Sequence, residues 1–411
     1  MKPSCQIIRP RRSRRQGTLQ PAIAFALLVV GAAIGLVLNS LWKDSATVEL
    51  RNAAEAAALA AAGEYLNDAL LAPLVDPELQ IELAKLRAAE VAFSNRVAGQ
   101  PVELDLSPEG DIQFGTRLYN HENNDSVFIA THENPDVVEV RATRLRSHGN
   151  PLWFFFSGVT GRAEADAQAI VEVAFENLID HFQPTPSALV PCLPLAILAS
   201  DPQGKRTDTW AYAIEQRHGQ DFFRFDETTR QVIEEPDGIP EIELKSVPLN
   251  SSSLAGNVHL LEFANDLGEM QLISQIAKGL TADDLRLLQG RLPAQDRFDT
   301  TGSGNITTPV QMALEAQIGQ PRLCLLYPSA EELNVPGWAR LICQGVVAIR
   351  VLQVLPEGNE SATVIVQPTV MTTKTAVLAR FLEEDPGDFF TKPEEKLFVP
   401  NRFVYKIFLN K

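Results

Sequence analysis

Catalysis or metal binding in this chain would have to run through its histidines, cysteines and clustered carboxylates. His121, His132, His148, His181, His218 and His259 are dispersed, with neither the His-x-x-x-His nor the His-Glu-x-x-His spacing that brings two imidazoles onto one zinc ion. His121-Glu122 and His132-Glu133 would converge only if they lay on adjacent strands. Asp201-Pro202-Gln203-Gly204-Lys205-Arg206 resembles the tail of a phosphate-binding loop. It has Ala199 where the first glycine belongs and Arg206 where Ser or Thr belongs, so it reads as a turn. Residues 296–307 have the composition of a calcium loop without its ligand spacing or closing Glu, and read as an irregular loop. No Gly-x-Ser-x-Gly elbow occurs, and Gly302-Ser303-Gly304 belongs to that same loop. Asp226, Glu227, Glu234, Glu235, Asp237, Glu241 and Glu243 concentrate acid in one stretch, read as a solvated face or a surface for a cation or basic partner. From these residues we expect no catalytic site, no metal and no cofactor.

The elements around them say more. The 411 residues carry a formal net charge of −16, unevenly spread. Residues 1–42 hold Lys2, Arg9, Arg11, Arg12, Arg14 and Arg15 and no acid, while the remainder sets 30 basic residues against all 52 acidic ones. An acidic body of that kind is a poor nucleic-acid binder, since affinity for phosphates comes from Lys and Arg. Residues 16–42 are uncharged, and 22–41 are apolar enough, at about 1.5 Å per residue, to cross roughly 30 Å of hydrocarbon. The basic flank orients such a span with its N-terminus in the cytoplasm. A cleavable signal peptide is the rival reading. The apolar run exceeds the usual 7–15 residues, and Ser40-Leu41-Trp42-Lys43 offers no small-x-small cleavage site.

Helix-forming residues continue past the span. Residues 45–71 are rich in Ala, Leu and Glu with no proline before Pro73, and Arg51 and Glu55 are spaced to pair at i,i+4. Leu59, Ala62, Leu66, Ala69 and Leu70 form a narrow apolar stripe. Two readings stay open: the stripe packs on the next helix, over 76–97, or its small residues admit a second copy of the chain. The expected organisation is a basic head (1–20), a transmembrane helix (21–42), a helical stalk (43–99) and a β-rich domain (100–182). A mixed α/β domain (183–320) and a C-terminal β-rich segment (321–411), either separate or part of the preceding domain, complete it. The fold class is α+β.

The Arg-rich head, Gly17, the apolar span and then Asn52-Ala53-Ala54-Glu55-Ala56-Ala57-Ala58-Leu59 resemble the N-terminal module of TadG-type proteins of the tight-adherence (Tad/Flp) pilus assembly system. The resemblance covers roughly 10–65. It continues more loosely over 95–175, through Asn95-Arg96-Val97-Ala98-Gly99-Gln100-Pro101, Asp111-Ile112-Gln113-Phe114-Gly115 and Asn150-Pro151-Leu152. It implies an inner-membrane protein with its bulk in the periplasm, working in adhesion-pilus biogenesis through contacts with other envelope proteins. Ala22 stands where pilin-like relatives carry Glu five residues after the cleavage-site glycine. Asp105-Leu106-Ser107-Pro108-Glu109 departs from the Asp-x-Ser-x-Ser of an adhesive metal site. Neither fibre-subunit processing nor that metal site is expected.

Beyond residue 100 the chain reads mainly as strands, over 102–106, 111–119, 126–132, 137–145 and 163–175. Pro184, Pro186, Pro191 and Pro194 mark a boundary. Strands follow over 195–198, 210–216 and 241–247, then helices over 267–279 and 281–289 and from Thr308-Pro309 to about 318. Strands return over 322–327, 339–355, 361–372 and 403–409, with a hairpin turning at Gly358-Asn359. Cys5 falls on the cytoplasmic side of this topology. Of Cys192, Cys324 and Cys343, the last two lie in neighbouring predicted strands and are the expected pair if a disulfide forms, buried thiols being the alternative. The function expected is a non-enzymatic, membrane-anchored scaffold. Its rivals are a stalk-presented hydrolase and a glycan- or solute-binding module with an aromatic cleft near Trp153–Phe156, Trp210 or Trp338. Trp153-Phe154-Phe155-Phe156 itself reads as a strand buried on both faces.

Overall fold

The computed structural model describes residues 19–73, 76–120, 125–263, 268–379 and 398–410. Helix α1 (Leu19–Tyr65) is uninterrupted, 47 residues or about 70 Å long. Its only proline, Pro21, falls in the first turn, where no helical hydrogen bond is lost. The first half exposes Ile23, Phe25, Leu27, Leu28 and Leu36 to the surroundings and is long and apolar enough to cross a membrane. The second half is the core of a domain. A turn at Asp68–Leu71, capped by Asn67 accepting from the Ala69 amide, leads to α2 (Pro77–Ser94). Pro77 sits in the first turn of α2, and the Asp76 carboxylate accepts from the Glu78 and Leu79 amides.

Both helices pack on one face of a six-stranded sheet ordered β22-β24-β8-β5-β3-β4. Its strands are β3 (Ile112–Asn120), β4 (Asp125–Ala130), β5 (Val137–Arg144), β8 (Ala167–Glu176), β22 (Met371–Thr372) and β24 (Val404–Asn410). Ala53, Ala54, Ala57, Ala58, Ala61 and Ala62 are all buried, facing Ala84, Ala88 and Ala92 of α2 and Val138, Val140, Val171 and Val173 of the sheet. Methyl-sized side chains on both helices are what let two backbones and a sheet approach in one layer. A short hairpin, β1 (Arg96–Val97) and β2 (Gln100–Pro101), closes the end of α2.

A second sheet has nine strands ordered β13-β21-β20-β17-β10-β14-β16-β19-β18. They are β10 (Cys192–Leu198), β13 (Ile242–Lys245), β14 (Val258–Glu262), β16 (Phe298–Ser303), β17 (Pro321–Tyr327), β18 (Ser329–Glu332), β19 (Trp338–Cys343), β20 (Val346–Pro356) and β21 (Ala362–Pro368). Only β10 and β17 are parallel. Ile276 of α4 (Glu269–Lys278), Val310 and Leu314 of α5 (Thr308–Glu315) and Trp210 build the core on one face. The other face is covered by β9 (Ile179–Phe182), β15 (Leu292–Pro293) and β23 (Ala376–Leu378). A ribbon of β11 (Arg224–Asp226) and β12 (Gln231–Ile233) lies beside β20.

The α+β architecture agrees with the sequence reading, and several boundaries do not. Residues 43–99 are helical but are no free stalk: α1 from Ala46 onward and α2 supply one wall of the core that 100–182 needs. The C-terminal segment is divided. β17 to β21 belong to the nine-stranded sheet, whereas β24 returns to pair with β8 at Ile407↔Phe175. Residues 211–215 form a wide helical turn where a strand was expected, with Trp210 buried against Phe403. Residues 298–303 form a strand where a loop was expected, paired with β14 and β19. Residues 102–106 are irregular. The hairpin at 346–368 forms around Gly358-Asn359 as read.

Candidate interaction surfaces

The outer side of α2 carries a stripe that its buried side does not explain. Leu79, Leu83, Leu86 and Phe93 are all exposed, at spacings of four, three and seven residues with Glu90 filling the vacant position. That is the 4-3-4-3 spacing of a helix–helix seam. Glu82 and Arg87 flank it, and Arg87 is ion-paired along the helix to Glu90 at 2.9 Å. On β3 and β4, Leu118, Val127 and Ile129 are exposed too. Leu118 pairs across to Val127 and Thr116 to Ile129, so all three share the sheet face that α1 and α2 cover elsewhere.

A second exposed group lies near the middle of α1. The hairpin of β6 (Leu152–Trp153) and β7 (Glu164–Ala165) carries at its tip one helical turn, α3 (Ser157–Thr160), which lies against α1. Asn39 clamps it: its side-chain amide donates to the Phe156 carbonyl at 3.4 Å and its carbonyl accepts from the Phe156 amide at 3.3 Å. The rings of Trp42 and Phe155 meet edge-on at 5.0 Å. Trp153 is 65 % exposed and Phe155 70 %, which overturns the expectation of a strand buried on both faces. Of the places named for an aromatic cleft, Trp210 is fully buried and lines none.

Of the motif residues on α1, Ala53, Ala54, Ala57 and Ala58 are buried, Glu55 and Ala56 partly so, and Asn52 and Leu59 exposed. Glu55 takes the expected ion pair from Arg51 at 2.9 Å. The stripe ending at Leu70 is broken by the end of the helix at Tyr65, and its one helical alanine, Ala62, is buried in the core with α2 and the sheet rather than on a free surface.

Buried polar groups serve architecture. Arg144 donates to the carbonyls of Val97, Gln100 and Pro101 at 3.3, 2.8 and 2.8 Å, fixing the β1–β2 hairpin on β5. Glu241, expected on a solvated face, is buried and accepts from the Phe222 and Phe223 amides. Burial raises its carboxyl and that of Asp237 above the usual range. Asp284 and Thr281 exchange hydrogen bonds as a capping pair, over turns rather than a full helix. His259 is wholly buried beside Tyr327, and burial pushes its imidazole down to about 4. Asp201 accepts from the amides of Gln203, Lys205 and Arg206, the turn expected there. His132 and Glu133 follow β4 in an exposed turn, while Cys5, His121 and Glu122 lie outside the described residues. Among the described residues no three His, Cys, Asp or Glu side chains gather as a metal site would require.

Cys324 and Cys343, the pair named for a possible disulfide, are not bridged: Cys192, Cys324 and Cys343 are buried free thiols, the alternative reading. Strands β10, β14 and β16 separate the two strands concerned, and the two thiols belong to cores on opposite faces of the sheet. Burial raises all three thiols, Cys343 up to about 12.

The described residues define a protein class: one membrane-length helix running without interruption into a β-rich body built on a six-stranded and a nine-stranded sheet. No protein-family model, curated protein or solved structure matches the chain. The α2 seam was legible in the spacing of Leu79, Leu83, Leu86 and Phe93.

Proposed function

We propose that the chain is a single-pass protein of the cytoplasmic membrane, with its N-terminus in the cytoplasm and its body in the periplasm. There it acts as a scaffold in assembly of a Tad-type (Flp) adhesion pilus, by protein–protein contact rather than catalysis. The resemblance of residues 10–65 to TadG-type proteins supports the system. The exposed seam on α2 carries the scaffold reading, because a body engaged with no other protein would leave four large apolar side chains on one helix facing water.

The occupant of the seam is a second copy of the chain. Two bodies held in one membrane share a direction, so their α2 helices meet in parallel. In-register parallel pairing then sets Glu82 of each copy against Arg87 of the other, the complementary placement that selects partners in such seams. Glu90 meets its own counterpart in this pairing, and its ion pair with Arg87 offsets the repulsion between the two carboxylates.

Photoreactive residues at Leu83 and Leu86, irradiated in native membranes, test this directly. A covalent dimer lost on Leu79→Glu substitution, together with loss of pili on deletion of the gene, is the expected result. Monomer alone after irradiation sinks the dimer, and normal piliation after deletion sinks the pilus role. Protease added to spheroplasts should digest the body; protection from outside would reverse the topology.

A further inference from the structure

We infer that the β6–β7 hairpin is a second membrane contact: its aromatic tip inserts into the interface of the same bilayer that α1 crosses, on the side of the body. The inference rests on the reading of α1 as a membrane span. It adds to that reading a lipid-binding element about 115 residues away in sequence.

Position is the first argument. The hairpin meets α1 at Asn39 and Trp42, at the end of the apolar run, and not along the part of α1 embedded in the body. Asn39 lies two residues before Leu41, about 3 Å inside the end of that run, and Gly35, buried one turn earlier, lies about 9 Å inside it. A bilayer covering the exposed side chains from Ile23 to Leu41 therefore also covers the hairpin's tip.

Composition is the second. Trp153, Phe155 and Phe156 are exposed together, beside Trp42 on α1. Amphipathic aromatic rings concentrate at the membrane–water boundary, where one side meets acyl chain and the other headgroup. Charged groups stand beside the aromatic ones, as the headgroup level requires: Glu164 pairs in register with Trp153, Arg162 is exposed nearer the tip, and Arg146 pairs with Asp166 at 3.2 Å.

Backbone satisfaction is the third, since unpaired amides are excluded from lipid. The Phe154 amide donates to the Ala163 carbonyl at 2.9 Å, and the Gly161 amide to the Ser157 carbonyl at 2.9 Å. The Phe156 amide and carbonyl are taken by Asn39. These bonds satisfy the base and the last turn of the tip, while the first amides of α3 carry no side-chain cap and face the polar headgroup layer.

Gly158 is the reporter position, because a side chain added there meets nothing within 4 Å and all the aromatics stay in place. The full-length protein carrying Cys5→Ser would be labelled with an environment-sensitive maleimide dye at Gly158→Cys, Leu28→Cys or Phe222→Cys. It would then be reconstituted in phosphatidylcholine–phosphatidylglycerol vesicles containing lipids brominated at shallow or deep positions. The buried native thiols leave the unsubstituted Cys5→Ser protein unlabelled. The expected result is strong quenching at 28 by deep bromines, at least threefold more quenching at 158 than at 222 with shallow bromines preferred, and loss of that excess in Trp153→Ser/Phe155→Ser. Quenching at 28 with 158 no different from 222 overturns the hairpin insertion and leaves the span intact. No quenching at 28 overturns the span itself, and the hairpin's insertion with it.

Discussion

Arg350 Nη2 on β20 lies 2.9 Å from Asp68 Oδ2, which belongs to the turn ending α1, 282 residues earlier. The same carboxylate accepts from the Thr369 hydroxyl at 2.6 Å and the Val370 amide at 2.7 Å. The guanidinium, almost wholly buried, also donates to the Gly319 carbonyl and stacks 3.8 Å over the Phe225 ring. One carboxylate thus ties the helical module to the nine-stranded sheet.

Removing the carboxylate leaves a buried cation without its main partner, so Asp68→Ala should cost about 3 kcal/mol of stability. Arg350→Met keeps an apolar chain against Phe225 and leaves Asp68 bonded to Thr369 and Val370, so its cost should be smaller. Urea unfolding in detergent micelles measures both. The reverse order would mean that desolvation of Arg350 does not govern the pair.

The alanines of α1 are matched to their neighbours at methyl size. Ala57→Leu or Ala58→Leu forces about three extra carbons into a filled layer and should destabilise by about 1–3 kcal/mol or more. Asn52→Ala and Leu59→Ala, on the exposed side of the same motif, should stay within about 0.5 kcal/mol. Equal effects at 57 and 59 would contradict the packing described for α1.

His259 predicts an acid sensitivity. Its folded pKa, about 4, lies below the ordinary value of 6.5, so on acidification the unfolded chain takes up the proton first. Stability from this group is intact above about 6.5 and is lost as pH falls toward 4, by about 3 kcal/mol in all. Asp237 and Glu241, raised by burial, act in the opposite sense and cancel when wild type is compared with His259→Leu. The stability difference between the two proteins, followed from pH 7.5 to 4, should shift in favour of the variant; a flat difference would refute the assignment.

The thiols should behave as core atoms. Maleimide should leave Cys192, Cys324 and Cys343 unmodified in the folded protein and label all three in denaturant. Peptide mapping without reduction should find no fragment joining Cys324 to Cys343. Such a fragment would require the two faces of the nine-stranded sheet to be other than described.

Local pattern carried the elements of this fold further than its partnerships. The length and apolarity of α1, the Asp76-Pro77 start of α2 and the turn at Gly358-Asn359 each depend on a few neighbouring residues, and each was legible. The return of β24 to β8 was not, because nothing near Ile407 encodes Phe175. Trp210–Gln216 has the composition of a strand, yet the burial of Trp210 on Phe403 bends it into a helical turn. The aromatic run at 153–156 looked like core because four large rings in water are costly; its exposure acquires a reason only once the hairpin is seen beside Asn39. Alanine richness marked α1 as a close-packing helix without saying against what.

Because α1 runs unbroken from Leu19 to Tyr65, no joint separates the membrane-length segment from the helix at the centre of the first sheet. The body is therefore keyed in phase to the span. Turning the helix about its axis by one residue, about 100°, would carry the six-stranded sheet and the α2 seam through the same angle. With α1 spanning a bilayer as proposed, the bearing of every surface on the body would be set by which side of that one helix its neighbours hold.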